Sequence, residues 1–233
     1  ETHFQFPQDE GSLAHATLRC VGVGKCRNYE GGVMCPSFRV TREEEHSTRG
    51  RAHLLWEMTR RDVIQDGWRD EDVKKSLDLC LACKGCKSDC PVSVDVATYK
   101  AEFLSHYYDG KLRPRGAYAF AYIDLWARMA SKIPRLANVL TGAPLLRNVA
   151  KWAAGMPRQR AIPKFASETF RKNFRQRQAP KKDGPVVLLW PDTLNNYFHS
   201  ETAEAAADVL EAAGFDVRLP RKVLCCGRPL YDF

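Results

Sequence analysis

Apolar residues recur at helical spacing through most of the chain, and a strand–helix–strand pattern appears only after residue 185. Residues 1–19 carry no periodic pattern and read as an irregular segment draped over the rest. Leu54, Leu55 and Met58 mark a helical face; Thr41, with Glu44 three residues on, reads as a capping box that opens this helix and carries it to about Arg60. Asp70 is placed to cap a second, short helix with Val73 and Leu77 on one face, which delivers the chain into Cys80. Beyond Pro91, Ser93 or Asp95 can cap a helix with Val96, Tyr99, Phe103 and Tyr107 on one side, closed by Asp109 and Gly110.

From Leu112 to about Arg160 the pattern stays helical but meets Pro114, Pro134, Pro144 and Pro157, which predicts several short helices. Arg171 to Pro185 is polar, basic and rich in turn formers, and reads as a linker. After it, the run at 186–190 reads as a buried strand. Ser200 then caps a helix bearing Ala206, Val209, Leu210 and Ala213, Gly214 stops that helix, and the stretch from Phe215 to Leu219 returns as a strand. The expected fold class is mainly α with the beginning of an α/β domain, divided as 1–110, 111–184 and 185–233.

A chain of 233 residues with 44% hydrophobic and 27% charged residues can bury a core without disulfides. Its longest apolar stretch, 117–133, contains Asp124, Arg128 and Lys132, too many charges for a bilayer span. The chain starts at Glu1 with no signal-peptide pattern and looks cut from a longer polypeptide. A net charge of +8 favours encounter with anionic partners without naming one.

Cysteines change the picture. There are nine, and seven fall in two tight groups, which suits metal ligation in the reducing cytoplasm better than a secreted disulfide framework. Cys80, Cys83, Cys86, Cys90 and Pro91 match the ferredoxin run C-x₂-C-x₂-C-x₃-C-P in full. Cysteines at every third residue turn thiolates inward around one cluster, and the proline redirects the chain. Cys20, Cys26 and Cys35 can be laid over the same template, with Val23 where a second cysteine would stand and Cys35–Pro36 in the fourth position after a longer insertion. In two-cluster proteins the fourth cysteine of each run serves the other cluster. Crossing the ligands gives Cys80, Cys83, Cys86 and Cys35 for a [4Fe–4S] cluster. It leaves Cys20, Cys26 and Cys90 for a second one, [3Fe–4S] or a [4Fe–4S] with a non-cysteine ligand. The alternative is a single cluster on the second run, with the first three as buried thiols. Cys225 and Cys226, beside Gly227, are a weaker third candidate metal pair.

With those residues in view, the chain resembles the C-terminal iron–sulfur part of FAD-linked D-2-hydroxyacid dehydrogenases, those of D-lactate and D-2-hydroxyglutarate. CVGVGKC, the stretch from Gly31 to Ala52, CLACKGCKSDCPVSVD and the final CCGRPLYDF carry the resemblance. It implies an α-helical ferredoxin-like module, an FAD-binding domain in the same or a partner chain, and a quinone or carrier protein as acceptor. The implied location is cytoplasmic, with peripheral association at the inner face of the membrane. The tail resembles the start of a CCG domain of the heterodisulfide reductase type, but WPDTLNNYF lacks the cysteine often found after the first strand there.

A zinc-stabilised nucleic-acid-binding or structural module is the competing reading, resting on basic stretches at 111–115 and 171–182. Aromatic residues do not interleave with these as a stacking platform requires, so no nucleic-acid partner is expected. His46 and His53 sit among charged neighbours and read as surface or packing residues.

Overall fold

The computed structural model of the chain describes residues 1–177 and 184–231. It is 55% helical and 3% strand, a mainly α architecture. Two units are formed, Glu1–Arg113 and Pro114–Leu230.

The first unit contains α1 (Leu13–Leu18), α2 (Pro36–Thr41), α3 (Thr48–Arg60), α4 (Glu71–Asp78), α5 (Gly85–Asp89) and α6 (Val96–Tyr107). Its core draws Leu13 and Ala16 from α1, Leu55 and Met58 from α3, Val73 and Leu77 from α4, and Phe103 from α6. Full burial of side chains of this size stabilises by about 1.5–3 kcal/mol each. Two predicted caps are in place. The Asp70 carboxylate accepts the Val73 N–H at 2.8 Å and Asp95 accepts the Thr98 N–H at 3.2 Å.

Two expectations fail in this unit. The long helix begins at Thr48 rather than after Thr41, because Thr41 closes α2 with its hydroxyl donating to the Ser37 carbonyl at 3.1 Å, and Arg42 turns left-handed. Ser47 is the real cap, its hydroxyl accepting the Gly50 N–H at 2.9 Å. Gly50 is required there, since a Cβ would run into the Glu44 carbonyl oxygen. The N-terminal segment is also ordered: Ser12 caps α1, and the Tyr99 hydroxyl donates to the Ala16 carbonyl at 2.7 Å. The fully buried Glu102 accepts the N–H groups of His3 and Phe4 at 2.9 and 2.7 Å and bonds the His106 ring at 2.7 Å, which fastens the first residues to α6.

The second unit contains α7 (Arg115–Ala121), α8 (Ile123–Ala130), α9 (Pro134–Gly142), α10 (Pro144–Ala153), α11 (Phe170–Gln176), β1 (Val186–Leu188), α12 (Thr193–Tyr197), α13 (Ser200–Ala212) and β2 (Asp216–Arg218). Pro134 and Pro144 open α9 and α10, where a missing N–H is harmless. The strands pair in parallel, Val186 opposite Asp216, with α13 as the crossover.

Three details differ from the sequence pattern. The strand expected to be buried spans only three residues, and Val186 and Leu188 remain exposed, as a two-stranded sheet cannot cover both faces. Ser200 is the first residue of α13, behind His199 at the cap position. The buried face of α13 is Ala203 and Ala207, not the face with Ala206 and Val209, because the fully buried Phe170 ring needs small residues opposite it. The basic stretch expected as linker begins inside α11, where buried Arg171 donates to the carbonyls of Pro220, Arg221 and Lys222 at 2.7, 3.2 and 3.2 Å. Its continuation at 178–183 lies outside the described residues.

Candidate metal centre

The second cysteine run is built on unusual backbone. Cys80 follows α4, Cys86 lies in α5, and Cys90 ends it. Ala82 and Lys84 adopt left-handed conformations at φ 46° and 58°, a local strain that persists only where the surroundings demand it. Gly85 is pressed between loops, where an added Cβ would lie 3.1 Å from the Val33 side chain and 3.5 Å from the Cys83 sulfur.

The first run lies against it. Cys20 follows α1, the buried Cys26 sits in a 3-10 turn at Lys25–Arg27, and Cys35 is left-handed at φ 47° just before Pro36 opens α2. The Lys25 ammonium pairs with Asp89 of α5 at 2.8 Å, and the same carboxylate accepts the Val33 N–H at 3.2 Å. Arg39 holds the carbonyls of Gly31 and Gly32. These ties bring Cys35 into one cavity with Cys80, Cys83 and Cys86, closed by Thr48, Arg51 and Val96. Cys26 packs with Met34, Cys35 and Phe38, and Cys86 and Cys90 lie against this group. Cys20 and Cys90 border the main core of the unit.

Two helix N-termini aim at the sulfurs. The Thr48 N–H that opens α3 lies 2.9 Å from the Cys35 sulfur, and the Thr48 hydroxyl lies at the same distance. The Arg49 N–H and the Ser47 hydroxyl lie toward Cys26, and the N–H groups of Val96 and Ala97, opening α6, lie toward Cys86, where they favour charge on sulfur. Burial pushes the Cys26 and Cys35 thiols up and the Cys86 thiol up to about 11, while those donors pull the other way. Donors of this kind favour charge on sulfur, so the site is poised for thiolate once a metal compensates the burial.

Arg51 is buried behind Cys35. Its guanidinium donates to the Ser76 carbonyl at 2.8 Å and to the Ser37 hydroxyl at 2.9 Å. Buried Lys100 donates to the Cys80 carbonyl at 2.7 Å. Sequence reasoning missed Thr48, Arg51 and Lys100 as parts of the site. The available signal was a threonine and an arginine at positions 48 and 51, on the same helical stripe as Leu55 and Met58.

The donor set fits an iron–sulfur cluster. All nine cysteines are free thiols. Among the described residues no three cysteine sulfurs lie within 4.8 Å of one another. A tetrahedral zinc, with Zn–S near 2.3 Å, would draw its sulfurs to about 3.8 Å. Val23 is exposed between left-handed Gly22 and Gly24. His46 is buried, its ring bonded to the Thr41 hydroxyl at 2.9 Å. His53 borders a second cavity of about 490 Å³ with Cys20, Arg49 and Trp56. Cys225 and Cys226 belong to the second unit, half-buried and exposed respectively.

Comparison with known proteins agrees with this chemistry. Residues 16–94 match the 4Fe–4S dicluster domain family. The chain is 24% identical to the D-2-hydroxyglutarate dehydrogenase of Escherichia coli K12, over 87% of this chain and 24% of that protein. It is 26% identical to the enzyme of the same name from Pseudomonas putida KT2440, over 96% of this chain and 26% of that one. It is also 26% identical to the probable glycolate oxidase iron–sulfur subunit of Bacillus subtilis 168, over 97% of this chain and 51% of that protein. The chain spans about a quarter of the length of the D-2-hydroxyglutarate dehydrogenases it matches. No solved structure matches it.

Proposed function

We propose that this chain, an iron–sulfur domain homologous to those oxidoreductases, is the electron relay of a FAD-linked D-2-hydroxyacid dehydrogenase. It takes single electrons from reduced flavin, held by an FAD-binding domain of the same or a partner chain, and passes them to a quinone or a carrier protein. The cavity common to Cys35, Cys80, Cys83 and Cys86 carries the reading. These four hold a [4Fe–4S] cluster. Cys20, Cys26 and Cys90 hold a second, [3Fe–4S] or [4Fe–4S] with a non-cysteine ligand.

A thiolate-held cluster supplies one-electron redox capacity, with a potential set by charge and hydrogen bonding around the sulfurs. The chain's own residues supply the rest. The N–H groups of Thr48, Arg49, Val96 and Ala97 stabilise negative charge on Cys35, Cys26 and Cys86. Arg51 places a fixed cation behind Cys35, which favours the reduced state. The cavity beside Cys20 is walled by Arg49, His53 and Trp56. No helix among the described residues is long and apolar enough to cross a membrane. The acceptor is met in the cytoplasm or at the inner face of the membrane, the location that the resemblance implies.

Photoreduced FAD should bleach the visible absorbance of the anaerobically prepared protein, and a short-chain quinone should restore it. A protein that takes no electrons from reduced flavin contradicts this reading.

A further inference from the structure

Three consecutive helices of the second unit turn their apolar stripes outward. On α8, Leu125, Trp126 and Met129 recur at helical spacing, and all are exposed. Leu136, Val139 and Leu140 do the same on α9, and Leu145, Val149 and Trp152 on α10. The stripe of an amphipathic helix ordinarily faces a core. Here α9 buries none of its residues and α10 buries only Lys151, whose ammonium donates to the Arg158 carbonyl at 2.7 Å. Exposed apolar residues in such repeated register mark an interaction surface.

Charge identifies the occupant. Between Pro114 and Lys164 there are nine lysines and arginines against one acid, Asp124, which is itself paired with Arg128 at 2.7 Å. Lys132 and Arg135 are exposed at the start of α9, next to its stripe, and Arg147 is exposed on the opposite side of α10. The Arg115 guanidinium lies 4.2 Å over the Trp152 ring, a pairing of cation and aromatic plane suited to the headgroup level of a membrane. An apolar layer beneath a negatively charged surface matches both features at once, and in-plane helices with basic flanks bind there.

We propose that α8, α9 and α10 form a docking surface for an anionic lipid bilayer, the apolar stripes resting in the boundary between headgroups and acyl chains and the basic residues meeting lipid phosphates. The inference rests on the relay reading only for its purpose, which is to bring the clusters to a lipid-dissolved acceptor.

The test is sedimentation of the anaerobically purified holoprotein with vesicles of phosphatidylcholine alone or mixed with phosphatidylglycerol. Binding should need the anionic lipid and weaken at least about tenfold at raised salt. Leu136→Asn with Val149→Asn, and separately Lys132→Glu with Arg135→Glu, should each weaken it at least about tenfold, with iron content and visible absorbance unchanged. These positions are exposed, so the fold does not depend on them. Wild-type protein that ignores anionic vesicles, or variants that bind as the wild type does, would overturn the proposal. So would self-association in sedimentation velocity that the apolar pair abolishes, which would assign the face to a second copy. Anaerobically purified protein that holds no iron would sink the relay reading, and its binding to anionic vesicles would leave the lipid surface standing.

Discussion

The Thr48 N–H and the Thr48 hydroxyl both lie 2.9 Å from the Cys35 sulfur, so one residue at the start of α3 gives that thiolate two donors. Thr48→Val keeps the first and removes the second. A lost hydrogen bond of about 1 kcal/mol corresponds to about 40 mV for one electron. The cluster held by Cys35 should therefore titrate at a potential lower by roughly that amount, with iron content unchanged. Redox titration followed by EPR checks this.

Arg51 separates charge from packing. Arg51→Met leaves the buried Ser76 carbonyl and Ser37 hydroxyl without their donor and should cost about 2–3 kcal/mol of stability while lowering the potential of the same cluster. Arg51→Lys retains the cation and should move the potential much less. Thermal melts and redox titrations of the two variants, compared side by side, distinguish the contributions.

The ligand assignment is open to direct substitution. Cys83 is exposed, so Cys83→Ser should leave the fold intact and remove the four-iron signal while the second cluster stays visible in EPR. Val23→Cys supplies the thiol missing from the first run, in a loop whose left-handed Gly22 and Gly24 let it bend. Its expected outcome is conversion of a three-iron signal into a four-iron one. An unchanged spectrum would show that the overlay of the two runs is misplaced.

Asp95 makes the unit sensitive to acid. Burial alone would raise its carboxyl, but the Thr98 N–H, the Thr98 hydroxyl and the Lys84 ammonium outweigh burial and hold it below the usual carboxylate range. A depressed folded-state value means that the stabilisation is full above the unfolded pKa, near 3.9, and is lost as pH falls through the lower folded value. Asp95→Asn keeps a capping oxygen and discards the charge. Its stability at neutral pH, read from thermal melts, should lie below that of the wild type by on the order of 1 kcal/mol, and the gap should shrink as pH falls below about 4.

Local chemistry made much of the fold readable. Asp70 and Asp95 each stand directly before an apolar face, so their helices were visible from a handful of residues. Thr41 and Glu44 satisfied the spacing of a capping box, yet the left-handed turn at Arg42 belongs to the end of α2 and moves the true cap to Ser47. Six residues are too few for a period, which hid α1. The buried face of α13 depends on Phe170, some thirty positions away, and periodicity cannot supply that. At the metal centre the spacing of Cys80 to Cys90 is local and plain. The meeting of Cys35 with Cys80, Cys83 and Cys86 depends on ties such as Lys25 to Asp89. Spacing lets Arg51 bond across to either a loop or a domain interface, and only with α3 docked does its guanidinium find the Ser76 carbonyl.

Iron and acid-labile sulfide analysis of the anaerobically prepared protein, combined with EPR, tests the two-cluster relay most directly. A brown protein with about seven or eight irons and about eight sulfides per chain, and two distinguishable signals, is the expected result. A colourless protein with stoichiometric zinc would contradict it, and so would about four irons with a single signal.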